Sequence, residues 1–428
     1  APDVVDIVSH VAVRARNANV LFASCHNEEL FDHLKSLRGR YVRLEINPAG
    51  DVLAAESTPE TREAAAEKRG AAVSAAPRLF RQYAVGLSDF NEELVGSKAL
   101  HQARLAARLP DWVHRPASAA VPFGVFEKVL ELDSNRAVAK QYADLVRQTS
   151  SRGTEPLAQL RETVLDLKAP DELKTALQQA MSGAGLSWPD DWEKAWRRIK
   201  QVWASKWNER AFLSRERMGL PHESLFMSVL IQQVVPADYA FVIHTVNPSN
   251  GNPGELFAEV VLGLVETLVG NHPGRALSFV VEKASGRQTL LSFPSKSIGL
   301  YGDGLIFRSD SNGEDLPGYA GAGLYDSVLL DSPRKVELDY THQPLVWDSG
   351  FRESLISRIS RLGLEIERAT GTAQDIEGAS VGSDDYVVQV RPQVGLDSPQ
   401  LGRARLAASK QPPGAKTPAG TVKALGAG

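Results

Sequence analysis

At 428 residues the chain is too long for one ordinary domain, and its 43% hydrophobic and 23% charged residues are those of a globular protein with ample core material. Lys and Arg total 48 against 52 Asp and Glu, which leaves no basic field to attract nucleic acid. The single cysteine, Cys25, excludes an intramolecular disulfide framework and a multi-cysteine metal site, and no apolar run reaches the roughly 20 residues of a membrane helix.

The first residues, Ala1-Pro2-Asp3-Val4-Val5-Asp6, resemble neither a signal nor a transit peptide and include no initiator Met, so the start reads as a cut through a longer protein. Residues 1–54 alternate short apolar strands, at Asn19–Ala23 and Arg40–Leu44, with a helical pattern. Ser9 suits a helix N-cap, and Val11, Ala12 and Ala15 suit a short buried helix. His10 then falls in the first turn, where backbone N–H groups and the dipole favour an anion. Arg14 and Arg16 are near enough to help neutralise a phosphate. A neutral imidazole so placed is a good nitrogen nucleophile and can carry a phosphoryl group, although an isolated His at a helix start is also a common structural residue. Residues 55–78 are rich in Ala, Glu, Thr and Arg without an apolar face, which is the composition of a linker.

A larger unit spans residues 79–395. Val95-Gly96-Ser97-Lys98 offers a glycine-preceded lysine, otherwise an ordinary surface charge. The early part reads as helical, punctuated by Pro116, Pro122 and Gly124. Trp192, Trp196, Trp203 and Trp207 recur at helical spacing, which points to core packing. Strands are expected at Ser228–Val235, Tyr239–Thr245, Ser278–Glu282, Leu305–Arg308 and Tyr386–Arg391. The fourth of these ends in Arg308, and a polar, Gly-rich loop follows it through Ser309-Asp310-Ser311-Asn312-Gly313 to Gly318, Gly321 and Gly323. Small residues let backbone amides approach a triphosphate, and the Arg308 guanidinium is a planar fork for its oxygens; the plain alternative is a long surface loop. Asp375-Ile376-Glu377 and Tyr386–Pro392 form a hairpin around a turn at Gly378–Asp385. Strict alternation places Gln389 and Arg391 on one face and Tyr386, Val388 and Val390 on the other. If the strands pair, Glu377 lies beside Gln389, and a carboxylate with an amide oxygen makes a hard donor set for Mg²⁺ between phosphates, or simply the polar face of a hairpin. Residues 396–428 turn to Pro, Gly, Ala and Lys without periodicity and are expected to be disordered.

Gly96-Ser97-Lys98, Phe307-Arg308-Ser309-Asp310 and Val388-Gln389-Val390-Arg391-Pro392 occur in the order seen in dikinases such as phosphoenolpyruvate synthase and pyruvate phosphate dikinase. The wording of Ser9–Asn17, Pro122–Leu130, Asp238–Thr245, Phe307–Val328 and Gly371–Gly378 more closely resembles the alpha-glucan, water dikinase family, over nearly all of residues 1–395. The resemblance implies an α+β chain, an ATP-grasp nucleotide-binding domain preceded by a truncated phosphohistidine swivelling domain, with the linker permitting the swing. It implies His10 as the phosphohistidine and Lys98, Arg308 and Arg391 as holders of the ATP phosphates. Glu377 and Gln389 are the implied Mg²⁺ ligands, Gln232 and Gln233 the strand beside adenine, and Glu266 a neighbour of the nucleotide. It further implies an alpha-glucan (starch) acceptor, a plastid location, and no nucleic-acid or membrane partner. Val11 and Asn17 fit the glucan dikinase pattern better than that of the C3-specific phosphoglucan, water dikinase. A small-molecule dikinase of the phosphoenolpyruvate synthase type is an alternative, and the lack of a second substrate domain after Arg391 argues mildly against its pyruvate version. A glucan-binding scaffold without turnover does not explain why His10, Lys98, Arg308, Glu377, Gln389 and Arg391 are all present. Two departures stand out. Leu21-Phe22-Ala23-Ser24-Cys25 replaces a two-cysteine segment of the family, and Val265 replaces a glycine beside Glu266.

Overall fold

A computed structural model describes residues 6–17, 20, 22–25, 28–46, 51–57, 78–270, 272–313, 315–316, 319–320, 323–393 and 422–424. Most of the linker, from 58 to 77, and most of the tail lie outside these residues, as do the side chains of Arg14 and Arg16.

Two large sheets face each other. One has seven strands in the order Gln288–Ser292, Leu277–Glu282, Glu255–Leu262, Tyr239–His244, Gln374–Val381, Asp384–Pro392 and Val113–His114, antiparallel except at the last pair. The long helix Ser349–Thr370 covers one face through Leu355, Ile356, Ile359, Leu362 and Ile366. Its N-terminus is capped by Asp348, whose carboxylate accepts the Phe351 N–H at 2.9 Å, and it stops at Gly371 in the left-handed conformation. The other sheet has five antiparallel strands, Ser327–Leu329, Leu305–Ser311, Met227–Gln233, Ser118–Val121 and Val85–Gly86. Helices Trp192–Ala204 and Asp171–Gly183 pack against it.

The tryptophan stripe is core, with one correction. Trp192, Trp196 and Trp203 lie on the Trp192–Ala204 helix, Trp196 and Trp203 meeting edge-on at 5.4 Å. Trp207 falls beyond it in a 3₁₀ turn and joins a different cluster with Leu145, Leu157, Leu160 and Phe212. The chain tightens after Ala204, so the 3.6-residue period does not carry through.

Other expectations shift. The early strands form at Ala23–Cys25 and Val42–Ile46, with a partner at Asp51–Glu56 that enters the region read as linker. The tail, expected to lack structure, contributes Val422–Ala424 to this four-stranded sheet. The strand carrying Arg308 does not end there but runs to Ser311 and is buried throughout, so Arg308 lies mid-strand opposite Leu230. The strands Glu255–Leu262, Gln288–Ser292 and Ile298–Tyr301 were not foreseen. The first is buried on both faces, where alternation vanishes from a sequence.

The hairpin holds the most informative difference. Its strands run through Val381 and restart at Asp384, leaving a turn of two residues rather than the longer one expected. Glu377 does pair with Gln389, but Gly378 pairs with Val387, which leaves Val388 as a bulge. The bulge reverses the alternation: Val387 and Val390 share the helix-covered core, whereas Tyr386 and Val388 pack with Val235, Ala237 and Ala379. The Val388 carbonyl, excluded from the ladder, accepts from the Gln102 amide at 2.6 Å and the Gln232 amide at 3.4 Å. The irregularity thereby ties the two sheets together at the head of the cleft between them.

Candidate active site

The cleft between the sheets has two parts. A narrow slot is lined by Gln232, Gln233, Val234, Val235, Ala237, Leu264, Ile306, Leu329 and Val388. Gln232 is fully buried, and its Oε1 finds no hydrogen-bond partner among the described residues. A buried acceptor left without a donor costs free energy until a ligand supplies one. The mostly apolar walls and the orphan acceptor suit a ligand that brings an N–H donor on an otherwise apolar body. Gln233 lies at the strand end, its side chain exposed, and its backbone N–H is taken by the Ala117 carbonyl at 3.0 Å.

Beyond Val265, Glu266 and Arg308 the slot opens into a cleft of about 500 Å³. His10, Lys98, Arg308, Glu377, Gln389 and Arg391 line it together, with Gly323 and Tyr325 from the Gly-rich loop. The three segments read separately from the sequence and the distant His10 helix are thus brought to one place.

Each cation is held by specific neighbours. The Lys98 ammonium donates to the Ser309 carbonyl at 2.7 Å. Lys98 is the second residue of the helix Ser97–Ala106, and Asp310 holds the amides at its start: Gly96 N–H reaches Oδ2 at 2.8 Å and Lys98 N–H reaches Oδ1 at 2.9 Å. Position 96 must be glycine, since a Cβ there would lie 2.5 Å from the Asp310 carboxylate. Asp310 was not assigned a role from sequence, yet it stands two residues after Arg308 on one strand, a spacing that reports a shared face. Burial pushes its carboxyl above the ordinary range, against the pull of Lys98 and the two amides.

Arg308 Nη1 donates to Gln389 Oε1 at 3.0 Å and lies 3.6 Å from Glu377 Oε2, while its Nε has no hydrogen-bond partner among the described residues. Two hard oxygens therefore converge on one cationic nitrogen, the donor set that Mg²⁺ bridging phosphates would use. No group of three His, Cys, Asp or Glu side chains suited to a metal is found among the described residues, so phosphate oxygens would complete such a shell. Burial raises the Glu266 carboxyl, Glu377 adds to the effect and Arg308 opposes it.

Arg391 is oriented by Asp375, which it meets through Nε at 2.8 Å and through Nη2. His244 Nε2 stands 3.4 Å from the other Asp375 oxygen. Although burial works the other way, Arg391 and His244 hold the Asp375 carboxyl well below its usual range. This partner was legible in principle: stepping two residues from the Glu377–Gln389 pair along both strands reaches Asp375 and Arg391.

His10 begins the helix His10–Asn17, and the Ser9 hydroxyl accepts the Ala12 N–H at 3.3 Å, which is the N-cap bond expected. Its ring lies against Gly323, where φ is +66° and an added Cβ would come within 3.3 Å of the imidazole. Cys25 is buried in its strand.

Two family models match the chain. Residues 1–63, which contain His10, match the alpha-glucan water dikinase phosphohistidine-like domain, and residues 187–298, which contain Gln232, Gln233 and Glu266, match the pyruvate phosphate dikinase AMP/ATP-binding domain. The chloroplastic alpha-glucan water dikinase of Solanum tuberosum is 47% identical over 92% of this chain and 28% of its own length. Alpha-glucan water dikinase 1 of Arabidopsis thaliana is 45% identical over 92% of this chain and 29% of its own. Phosphoenolpyruvate synthase of Pyrococcus furiosus is 24% identical over 46% of this chain and 21% of its own. The chain spans less than a third of the length of the glucan dikinases it matches. Over 92% of its own length it is a homologue of the alpha-glucan water dikinases, a mixed α/β chain with an ATP-binding domain and a phosphohistidine-like domain.

Proposed function

We propose that this chain is the nucleotide- and histidine-bearing part of an alpha-glucan, water dikinase that moves the β-phosphoryl group of ATP to His10 and then to a glucose hydroxyl of starch. The observation that carries the reading is that His10 shares one cleft with Lys98, Arg308, Glu377, Gln389 and Arg391. In the first half-reaction the Pβ–O bond to AMP breaks, an N–P bond to an imidazole nitrogen forms, and the γ-phosphoryl group passes to water as orthophosphate. In the second the N–P bond breaks, an O–P bond to the glucan forms, and the hydroxyl proton is released.

In this reading residues 79–395 are an ATP-grasp domain, residues 1–54 part of a swivelling phosphohistidine domain and residues 55–78 the linker that permits the swing. Gln232 faces adenine, Gln233 borders it at the strand end, and Glu266 lies at the junction of base and phosphates. Lys98, Arg308 and Arg391 hold phosphate oxygens, and pre-orientation of Arg391 by Asp375 reduces what must be ordered at the moment of transfer. Mg²⁺, held by Glu377 and Gln389, would neutralise charge between the phosphates. As ligands enter, Arg308 exchanges its contacts with Glu377 and Gln389 for phosphate. The match of residues 1–63 to the glucan dikinase phosphohistidine-like domain favours a glucan over pyruvate as acceptor. Val11 and Asn17 favour the C6 hydroxyl, and the chloroplastic relatives favour a plastid.

The test uses ATP labelled at the β- or the γ-phosphate, offered with and without amylopectin. Label from the β-position should appear on the protein and then on glucan, and label from the γ-position in orthophosphate. The His10→Ala variant should bind ATP as the parent does and take up no label. Protein labelled from the γ-position, or a labelled His10→Ala protein, would replace this reading with an ordinary kinase.

A further inference from the structure

The segment that leads into His10 is plugged against the face of the seven-stranded sheet opposite the helix Ser349–Thr370, the face that also borders the cleft. Val8 is 3% exposed and belongs to one cluster with Ala240, Val242, Phe257, Val261, Val265, Leu268 and Ala276. Charge surrounds this apolar plug. Lys296, 1% exposed, donates to the Asp6 carboxylate and to the His272 carbonyl, and the Ala276 N–H reaches Asp6 Oδ1 at 3.1 Å. Glu259, also buried, accepts the Ile7 N–H on Oε1 and the Val8 N–H on Oε2, each at 3.3 Å. Ala258 and Val260 face the helix-covered core, whereas Phe257 and Val261 face Val8 with Glu259 between them. A carboxyl group at the centre of a buried strand is costly, and here its oxygens are satisfied by the incoming backbone of residues 7 and 8.

We propose that Asp6, Lys296 and Glu259 form a polar docking latch that positions His10 at the nucleotide cleft and must open before phosphorylated His10 can leave it. The inference rests on the two-station reading above. Asp6 is four residues from His10 and ends the segment that caps its helix, the Ser9 N–H bonding to the Asp6 carbonyl at 3.1 Å. Lys296 and Glu259 belong to the sheet side, 290 and about 250 residues along the chain. An ion pair between two parts that separate acts as a selector rather than as glue. Its Coulomb gain nearly offsets desolvation, so it adds little net hold, yet a docked pose lacking one partner buries a bare charge and is strongly disfavoured. The three side chains are positioning residues; none touches the cleft that holds His10.

Asp6→Asn keeps the shape and changes only the incoming segment. In the whole chain it should slow β-label transfer to His10 by about tenfold or more, with ATP affinity and melting temperature unchanged. Adding Lys296→Met removes the stranded ammonium and should recover most of that rate, an interaction that a general loss of fold does not give. Amide exchange at Ile7 and Val8, which needs no chemistry, should quicken in Asp6→Asn and in Glu259→Ala. Labelling within twofold of the parent with unchanged exchange would overturn the latch, and so would parallel loss of ATP binding, which would make the pair an ordinary core contact. If the parent itself takes no label at His10, the proposed function fails, and the latch is then decided by the exchange measurement alone.

Discussion

The two ends of the cleft are built on opposite terms. The slot is walled by Val234, Val235, Leu264, Ile306 and Leu329, and its polar lining is two glutamines, one with an orphan acceptor, with Glu266 and Arg308 only at the junction with the open end. The open end gathers Lys98, Arg308, Glu377, Gln389 and Arg391, and each cation there already has a protein partner. At the slot, complementarity of shape and one unmet hydrogen bond await the ligand, so substitutions should act on affinity. At the open end the charges neutralise one another and must exchange partners as phosphate arrives. Substitutions there should act on the rate of transfer, where charge is redistributed.

The sharpest way to break this comparison is Glu377→Ala. Self-phosphorylation at saturating Mg·ATP should fall about a thousandfold while ATP affinity changes by only a few-fold, because a catalytic ion ligand acts on developing charge. A rate within about threefold of the parent would sink the assignment of Glu377 to the metal. At the other end, Gln232→Met should weaken ATP binding by about tenfold, the worth of one buried hydrogen bond, and leave the saturated rate within about twofold. A fall in rate at unchanged affinity would show that the slot also takes part in the chemistry.

A third measurement separates the cleft from the docking of His10 into it. Burial, reinforced by Asp6, pushes the Glu259 carboxyl up to about 8, against the Val8 and Ile7 amides and Lys296. When the segment departs, the carboxyl meets water and returns toward its ordinary value. The proton is therefore bound more tightly in the docked state. Its contribution is intact below the free carboxylate range and is lost as pH rises through about 8. Self-phosphorylation should decline severalfold between pH 7 and 9, and Glu259→Gln should remove that decline. Lys296, Asp6 and His272 are the neighbouring charged or titratable groups, and the His272 imidazole is pushed down by burial and Lys296, so it stays neutral across this window.

The smallest expected effect is none. Cys25 is the one cysteine of the sequence, and Leu21 supplies no sulfur to pair with it. Oxidation followed by dithiothreitol should leave rates at both ends of the cleft unaltered in the parent and in Cys25→Ser. A reversible activation that disappears in Cys25→Ser would reveal a partner thiol on another molecule or in a part of the protein beyond this sequence.

Local chemistry was legible in the sequence because it is written in short periods. The Ser9 cap, the pairing of Glu377 with Gln389 and the core role of Trp196 and Trp203 each follow from a few adjacent residues. The family wording located the motif residues of the cleft, whereas alternation alone misjudged Val390, since one bulge at Val388 reverses the faces on either side. Only the tertiary structure decided which distant pieces meet. Glu255–Leu262 is buried on both faces, so its sequence shows no alternation and hides the purpose of Glu259. Asp6 and Lys296 look like two ordinary surface charges until 290 residues of chain bring them together. A charge in a sequence carries no mark of burial; its desolvation and its partner exist only once the chain has closed around it.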